Sequence, residues 1–282
     1  MKISQSYKMF NRCISYMFKT ILKTSRTYIY MIVAPIILIT FVYFFWYQQM
    51  LKTNRYIMIS SFTLIPALFL LFLGSFIICE WRDSVFLKYL KNFGLNKIQF
   101  MAALLIVLFT ITFVIIWLIL GYLFLIDLFH KEHIVQNWFN FMALFSQWFG
   151  WLFGIILNIL IMFFLALLIA GSLKNIYIVQ AINILVFILS FLFGDFLIDL
   201  SYATTTPAII IGYFIPQKYI TWIVYIFYTQ SDQNPNGFFL IVPSVDRSLA
   251  FTSIYQPIFG TLIFISTISV GSYFAFISGF KR

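Results

Sequence analysis

The stretch Glu80-Trp81-Arg82-Asp83-Ser84-Val85-Phe86-Leu87-Lys88-Tyr89-Leu90-Lys91-Asn92-Phe93-Gly94-Leu95-Asn96-Lys97 separates two long apolar runs. It holds two of the eight acidic and four of the eighteen basic residues of a chain that is only 9% charged. A segment so placed and so charged belongs in water, joining two membrane spans. Val85, Leu87, Leu90, Phe93 and Leu95 recur at twos and threes, while Lys88 and Lys91 sit three apart on a second face. That spacing predicts a short amphipathic helix ending near Gly94.

Composition points the same way. The chain of 282 residues is 63% apolar and 22% aromatic, with a mean hydropathy of +1.00, whereas globular chains are roughly 45–50% apolar. This is the composition of an integral, all-α membrane protein. A net charge of +10 does not imply nucleic acid as partner, because the basic residues mark junctions between apolar runs instead of forming one face with interleaved stacking aromatics. The lipid bilayer is the expected environment. Cys13 and Cys79 lack metal-ligand spacing and read as packing or membrane-facing thiols. Nearly thirty mostly polar and basic residues precede the first apolar run, so no cleavable signal peptide is expected and the N-terminus is read as retained.

From the N-terminus, Ile3, Tyr7, Phe10, Ile14, Met17, Phe18 and Ile21 recur at helical spacing, and Lys8, Arg12, Lys19, Lys23 and Arg26 fill the rest of the wheel. Residues 1–28 are therefore expected to form an interfacial helix with its lysines toward anionic lipid. Spans follow at 29–47, with Pro35 inside it, and at 57–79, with Pro66 and Gly74 inside it. After the charged loop 80–99 a third span covers 100–126 and ends in a polar loop holding Asp127, His130, Glu132 and His133. That set is too sparse for a metal site and reads as a solvated loop. A tryptophan-rich interfacial stretch with Trp138, Trp148 and Trp151 leads into the fourth span at 144–170, where Asn158 is the internal polar residue. Packing between helices by hydrogen bonding is its expected role, with pathway contact the alternative.

The fifth span, 176–197, brings Asp195 and Asp199 to its end, four residues apart on one helical face. They are candidates for a pathway or an interfacial position, since carboxylates at membrane depth are expensive. Residues 201–255 form an extracellular region whose apolar part, 208–228, is broken by Gly212, Pro216, Gln217 and Lys218 into halves too short to cross. This pattern predicts a re-entrant hairpin before the sixth span at 257–280. Counted on alternate sides, thirteen of the eighteen basic residues fall with the termini and residues 80–97. The bias places both termini in the cytoplasm of a multi-pass plasma-membrane protein.

No phosphate-binding loop, nucleophile elbow, His-Glu-x-x-His or dinucleotide fingerprint is present. The chain is therefore expected to be no enzyme, to bind no cofactor itself, and to take any driving energy from an ion gradient or another subunit.

The layout resembles the permease subunits of type-2 ABC transporters over essentially the whole chain. The motif that carries the likeness is Glu80 followed by Phe86-Leu87-Lys88-Tyr89-Leu90 and Gly94-Leu95-Asn96-Lys97. It is similar to the family's Glu-(basic)-(acidic)-x-Gly-Thr-Leu-Lys-x-Leu, with Ser84-Val85 where glycine is usual and Phe93-Gly94 in place of proline. The resemblance implies a single transmembrane domain of six spans in which residues 80–97 are a coupling helix. Glu80, Arg82, Asp83, Phe86, Leu87, Lys88, Leu90, Lys91 and Phe93 would then meet a cytoplasmic ATP-binding-cassette subunit, which uses ATP and Mg. A second copy or a related permease subunit would complete the pathway, and the family mostly exports lipids, glycans, peptides or drugs. Two other readings stand beside this one: a non-transporting scaffold or immunity-type protein that recruits a cytoplasmic partner by the same loop, and an ion-coupled transporter with Asp195 and Asp199 as carriers.

Overall fold

The computed structural model describes residues 2–46, 52–83, 96–129, 133–196, 206–231, 250–251 and 253–279. All regular structure among them is helical, and six helices are long and apolar enough to cross a membrane.

Helix α1 (Lys2–Lys23) buries Cys13, Met17 and Ile21 against the helix Lys97–Asp127 and leaves Lys8, Arg12, Lys19 and Lys23 exposed. It stops where the Thr24 and Thr27 hydroxyls both donate to the Ile21 carbonyl, at 2.7 and 2.6 Å, taking backbone capacity a further turn would need. Helix α2 (Ser25–Phe45) contains a π-helical segment at Ile29–Val33, directly before Pro35. Pro35 has no N–H to offer the preceding turn, and the wider turn absorbs the mismatch.

Helix α3 (Ile57–Arg82) is the centre of the bundle: 94% of its most apolar window is buried, against 17% for the last span. It is broken into Lys52–Phe62, Ile65–Leu68 and Leu70–Asp83, and Pro66 lies at the break. Helices α4 (Lys97–Asp127), α5 (Ile134–Phe141) and α6 (Phe145–Ser172) follow. Then come α7 (Ile176–Phe193), the short α8 (Thr206–Gly212), α9 (Pro216–Tyr228) and α10 (Tyr255–Gly279). The spans expected from the sequence thus correspond to α2, α3, α4, α6, α7 and α10, and the apolar run at 208–228 is a pair of shorter helices. Helix α7 ends at Phe193, four residues before the expected limit, because Asp195 takes a left-handed backbone with φ of 58° that a helix cannot continue.

Helix α6 packs against α3, α9 and α10. At Gly171 a Cβ would lie 2.9 Å from the backbone of Ala275 and Phe276, so the two helices touch main chain to main chain. The outward faces of α2, α7 and α10 expose Ile37, Phe41, Ile184, Leu185, Phe259, Ile263 and Phe274, an apolar surface that suits lipid and would be insoluble in water.

Gly171→Ala should separate α6 from α10 and destabilise the protein by about 1–3 kcal/mol, read as a lower thermal midpoint in detergent. Gly121→Ala, where nothing lies within 4 Å of the added Cβ, should leave the midpoint unchanged or raise it.

Candidate functional site

Three places where charge is spent lie at helix ends, and one buried polar seam lies at the break in α3. The seam follows from Pro66, whose missing N–H removes the usual donor for the Phe62 carbonyl and turns the chain at Thr63 and Leu64. Asn158 Nδ2 of α6 donates to the Leu64 carbonyl at 3.1 Å. Trp151 Nε1 donates to Thr63 Oγ1 at 2.7 Å and Trp138 Nε1 to Ser60 Oγ at 2.8 Å. Of the three tryptophans expected at an interface, Trp138 and Trp151 turn their indoles inward and are buried, while Trp148 is half-buried and donates to the Met142 carbonyl. Asn158 holds two spans together, and its Oδ1 finds no donor among the described residues.

Arg82 is where the charged loop leaves α3. Its Nη1 donates to the carbonyls of Ala170 and Leu173 at 2.7 and 2.6 Å, and its Nη2 to that of Lys174 at 2.8 Å. Ala170 lies in the last turn of α6, Leu173 is its C-cap residue and Lys174 follows it, so the guanidinium gathers carbonyls around the end of α6, where a cation also meets the negative end of the helix dipole. At the same end Trp81 lies against Phe100, and Phe100 stacks on Phe276 at 5.8 Å. Glu80 is exposed and the side chain of Asp83 is not described. Phe86, Leu87, Lys88, Leu90, Lys91 and Phe93 lie outside the described residues, as does Asp199.

At the opposite end Asp127 is buried. Its Oδ1 accepts from Tyr43 at 2.7 Å and from the Ile134 N–H at 2.8 Å, and its Oδ2 accepts from the Gln136 N–H at 3.0 Å. One carboxylate thus caps α5 from outside, beside His133 with its φ of 42°, and pins α2 to α4. No group of three or more metal-ligating residues occurs among the described residues.

The fourth place is the most elaborate. Asp195 and Lys218 form an ion pair at 3.1 Å with side-chain exposures of 1% and 0%. Trp222 Nε1 donates to Asp195 Oδ2 at 2.7 Å and Tyr225 to the Asp195 carbonyl at 2.8 Å. Thr221 donates to the Gly194 carbonyl at 2.9 Å, and Ser190 to Gln217 Oε1 at 2.9 Å. Lys218, Thr221, Trp222 and Tyr225 share one face of α9, so a single helical face closes on the turn that ends α7.

Sequence reasoning singled out Asp195 but read Lys218 as one of the residues that break the apolar run 208–228, whereas it lies in the first turn of α9, and it missed Trp222 and Tyr225. The available signal was Lys218 itself, a lone cation inside an apolar run, which by the cost of burying it calls for a carboxylate partner. Asp195 and Lys218 neutralise each other, both carboxylate oxygens are engaged, and neither group reaches solvent. The arrangement fastens helices together.

Asp127→Ala should lower stability by about 1–3 kcal/mol by leaving two α5 N–H groups unpaired, and Tyr43→Phe by about 1 kcal/mol or less. Thermal unfolding in detergent checks both, and equal effects would contradict the capping role. Neither a scan against models of protein families nor a search of curated proteins finds a match to this chain.

Proposed function

We propose that this chain is the membrane-spanning permease subunit of an ATP-driven transporter of the type-2 ABC kind, exporting a lipid, glycan, peptide or drug-like amphiphile. A separate cytoplasmic subunit hydrolyses ATP, and a second copy or related permease completes the path. The observation that carries this reading is the Arg82 clamp. The charged segment begins within a residue or two of a guanidinium that holds the carbonyls of Ala170, Leu173 and Lys174, at and just past the end of α6. A push on that segment is therefore applied to α3 and α6 together, and α6 packs on α9 and α10. Packed interfaces of this type switch between discrete arrangements.

Three further features support the reading. Helix α1 is amphipathic with four exposed basic residues and no acidic one, which fits an interfacial helix beside anionic lipid. The α8–α9 pair is too short to cross and precedes the last span, as a re-entrant hairpin does. Of the buried charges among the described residues, Asp195 and Lys218 cancel each other and Asp127 is held by Tyr43 and two backbone N–H groups, which suits a bulky amphiphile moving between subunits better than an ion filter. With residues 80–97 in the cytoplasm, both termini are cytoplasmic and the membrane is the plasma membrane.

Phe86→Asp with Leu90→Asp should abolish co-purification of the ATPase from detergent. Arg82→Gln should leave association intact yet cut ATP-driven transport by about tenfold, because the segment no longer grips α6. A partner that co-purifies but lacks a phosphate-binding loop would favour the scaffold reading instead.

Orientation is checked with a membrane-impermeant maleimide on intact cells. Cys13 and Cys79 are buried, and burial pushes the Cys13 thiol up, so both should react slowly at neutral pH. A cysteine replacing Phe129, which is 91% exposed, should label from outside, whereas Lys174→Cys at the Arg82 end should label only after lysis. The reverse pattern would sink the coupling role of residues 80–97.

A further inference from the structure

Several features of the α7–α9 region meet at one turn. Helix α7, at 18 residues the shortest of the six candidate spans, stops at Phe193. Asp195 then sits in a left-handed conformation with φ of 58°, which disfavours any residue with a side chain. Lys218, in the first turn of α9, reaches back to Asp195 at 3.1 Å, and its stem lies so close to Gly212 that a Cβ there would be 2.3 Å from Cδ and 2.8 Å from Nζ. One ammonium therefore joins the end of α7, the end of α8 and the start of α9.

The other surfaces of α9 are mostly apolar, with Gln147 Nε2 of α6 donating to the Tyr228 carbonyl at its last turn. Phe227 presses on Gly150 and Val224 on Gly154 of α6, and Tyr219 presses on Gly260 of α10. These are apolar contacts of large side chains on bare backbone, and they set little direction. The directional contacts of α9 with the turn after α7 are concentrated in Lys218, Thr221, Trp222 and Tyr225. A buried ion pair is an expensive way to stabilise packing, because two charges are stripped of water and an apolar pair of the same volume does as well or better. What an ion pair adds is that it is either made or broken.

We propose that the Asp195–Lys218 pair is a latch: made, it fixes the α8–α9 hairpin in the seating observed here; released, it lets the hairpin shift as a unit along the glycine-lined faces of α6 and α10. Trp222 and Tyr225 hold the Asp195 turn in place to receive the ammonium. The strained turn and the paired charges belong to a point with two states, where strain is held by surrounding contacts. The latch stands independently of whether the chain carries cargo.

Hydrogen exchange and thermal unfolding test it, using the full chain in detergent or nanodiscs. Asp195→Asn and Lys218→Met each leave one buried charge without its partner, so each should lower the thermal midpoint. The double variant removes both charges and should regain the wild-type midpoint or exceed it. Its amides at 216–228 should nevertheless exchange roughly tenfold faster than in the wild type, with those of α6 unchanged. Wild-type exchange rates at 216–228 in a stably folded double variant would overturn the proposal, because the pair would then be replaceable packing. The wild-type chain supplies a second measurement should the double variant fail to fold. Its 216–228 amides, although buried, should open as one cooperative unit and exchange roughly tenfold faster than those of 150–165 in α6. Exchange as slow as that of α6 would equally overturn it.

Discussion

The constraint on which the structure depends is the broken backbone of α3 inside an apolar bundle. In hydrocarbon every N–H and C=O needs a partner supplied by protein, and Pro66 takes one donor away from the helix that is most deeply buried. Trp138, Trp151 and Asn158 answer from α5 and α6 by bonding Ser60, Thr63 and the Leu64 carbonyl. Those three bonds determine which faces of α5 and α6 meet α3. Helix association within a membrane gains little from apolar burial, since lipid is as apolar as leucine, so directional bonds and close packing set the arrangement. Gly171 against Ala275 and Phe276 is the close-packing counterpart on the far side of α6.

The few buried charges obey the same rule. Arg82 takes carbonyls at and just past the end of α6, Asp127 takes the N–H groups that α5 cannot pair, and Asp195 and Lys218 take each other. Arg82 and Asp127 meet helix ends of opposite partial charge, whereas Asp195 lies past the C-terminal end of α7 and Lys218 in the first turn of α9, ends of their own sign, so each depends on the other for neutralisation. Charge here works as a fastener between elements distant in sequence: Arg82 to Lys174, Asp127 to Tyr43, and Asp195 to Lys218.

Much of the architecture was legible in the sequence, and the reason is periodicity. Uncharged runs of about twenty residues give spans by length alone, and Pro66, Gly212 and Pro216 mark interruptions because their backbone chemistry is local. What a one-dimensional pattern does not reveal is pairing across space. Asp195 was readable as an anomaly, but its partner lies beyond a stretch of unlike composition, and nothing in the spacing of Lys218 names the carboxylate it faces. The end of α7 at Phe193 was missed for a related reason. The apolar pattern continues to Leu197, while the turn is set by tertiary bonds from Thr221 and Tyr225 to the Gly194 and Asp195 carbonyls. Of the tryptophans expected at a lipid interface, Trp138 and Trp151 turned inward and donate to the Ser60 and Thr63 hydroxyls of α3, while Trp148 donates to the Met142 carbonyl nearby.

The distribution of these fasteners bears on how force would pass through the molecule under the proposed function. Helices α3 and α6 form the inner block, joined by the Asn158 bond and by the close approach of Gly74 to Ala166, and α9 is tied to it at its last turn by Gln147 Nε2 donating to the Tyr228 carbonyl at 2.8 Å. Helices α2 and α7 ride on that block with largely exposed apolar faces and can shift in lipid at little cost in lost contacts, whereas α10 is seated on α6 main chain to main chain. A displacement entering beside Arg82 meets the inner block first, through bonds that do not stretch far before breaking. It reaches α7 through α3 and α6, which both pack on it, and through the polar face of α9. The block would therefore move as a body, with compliance at its margins and at the turn after α7, where a strained residue and a paired charge share one point.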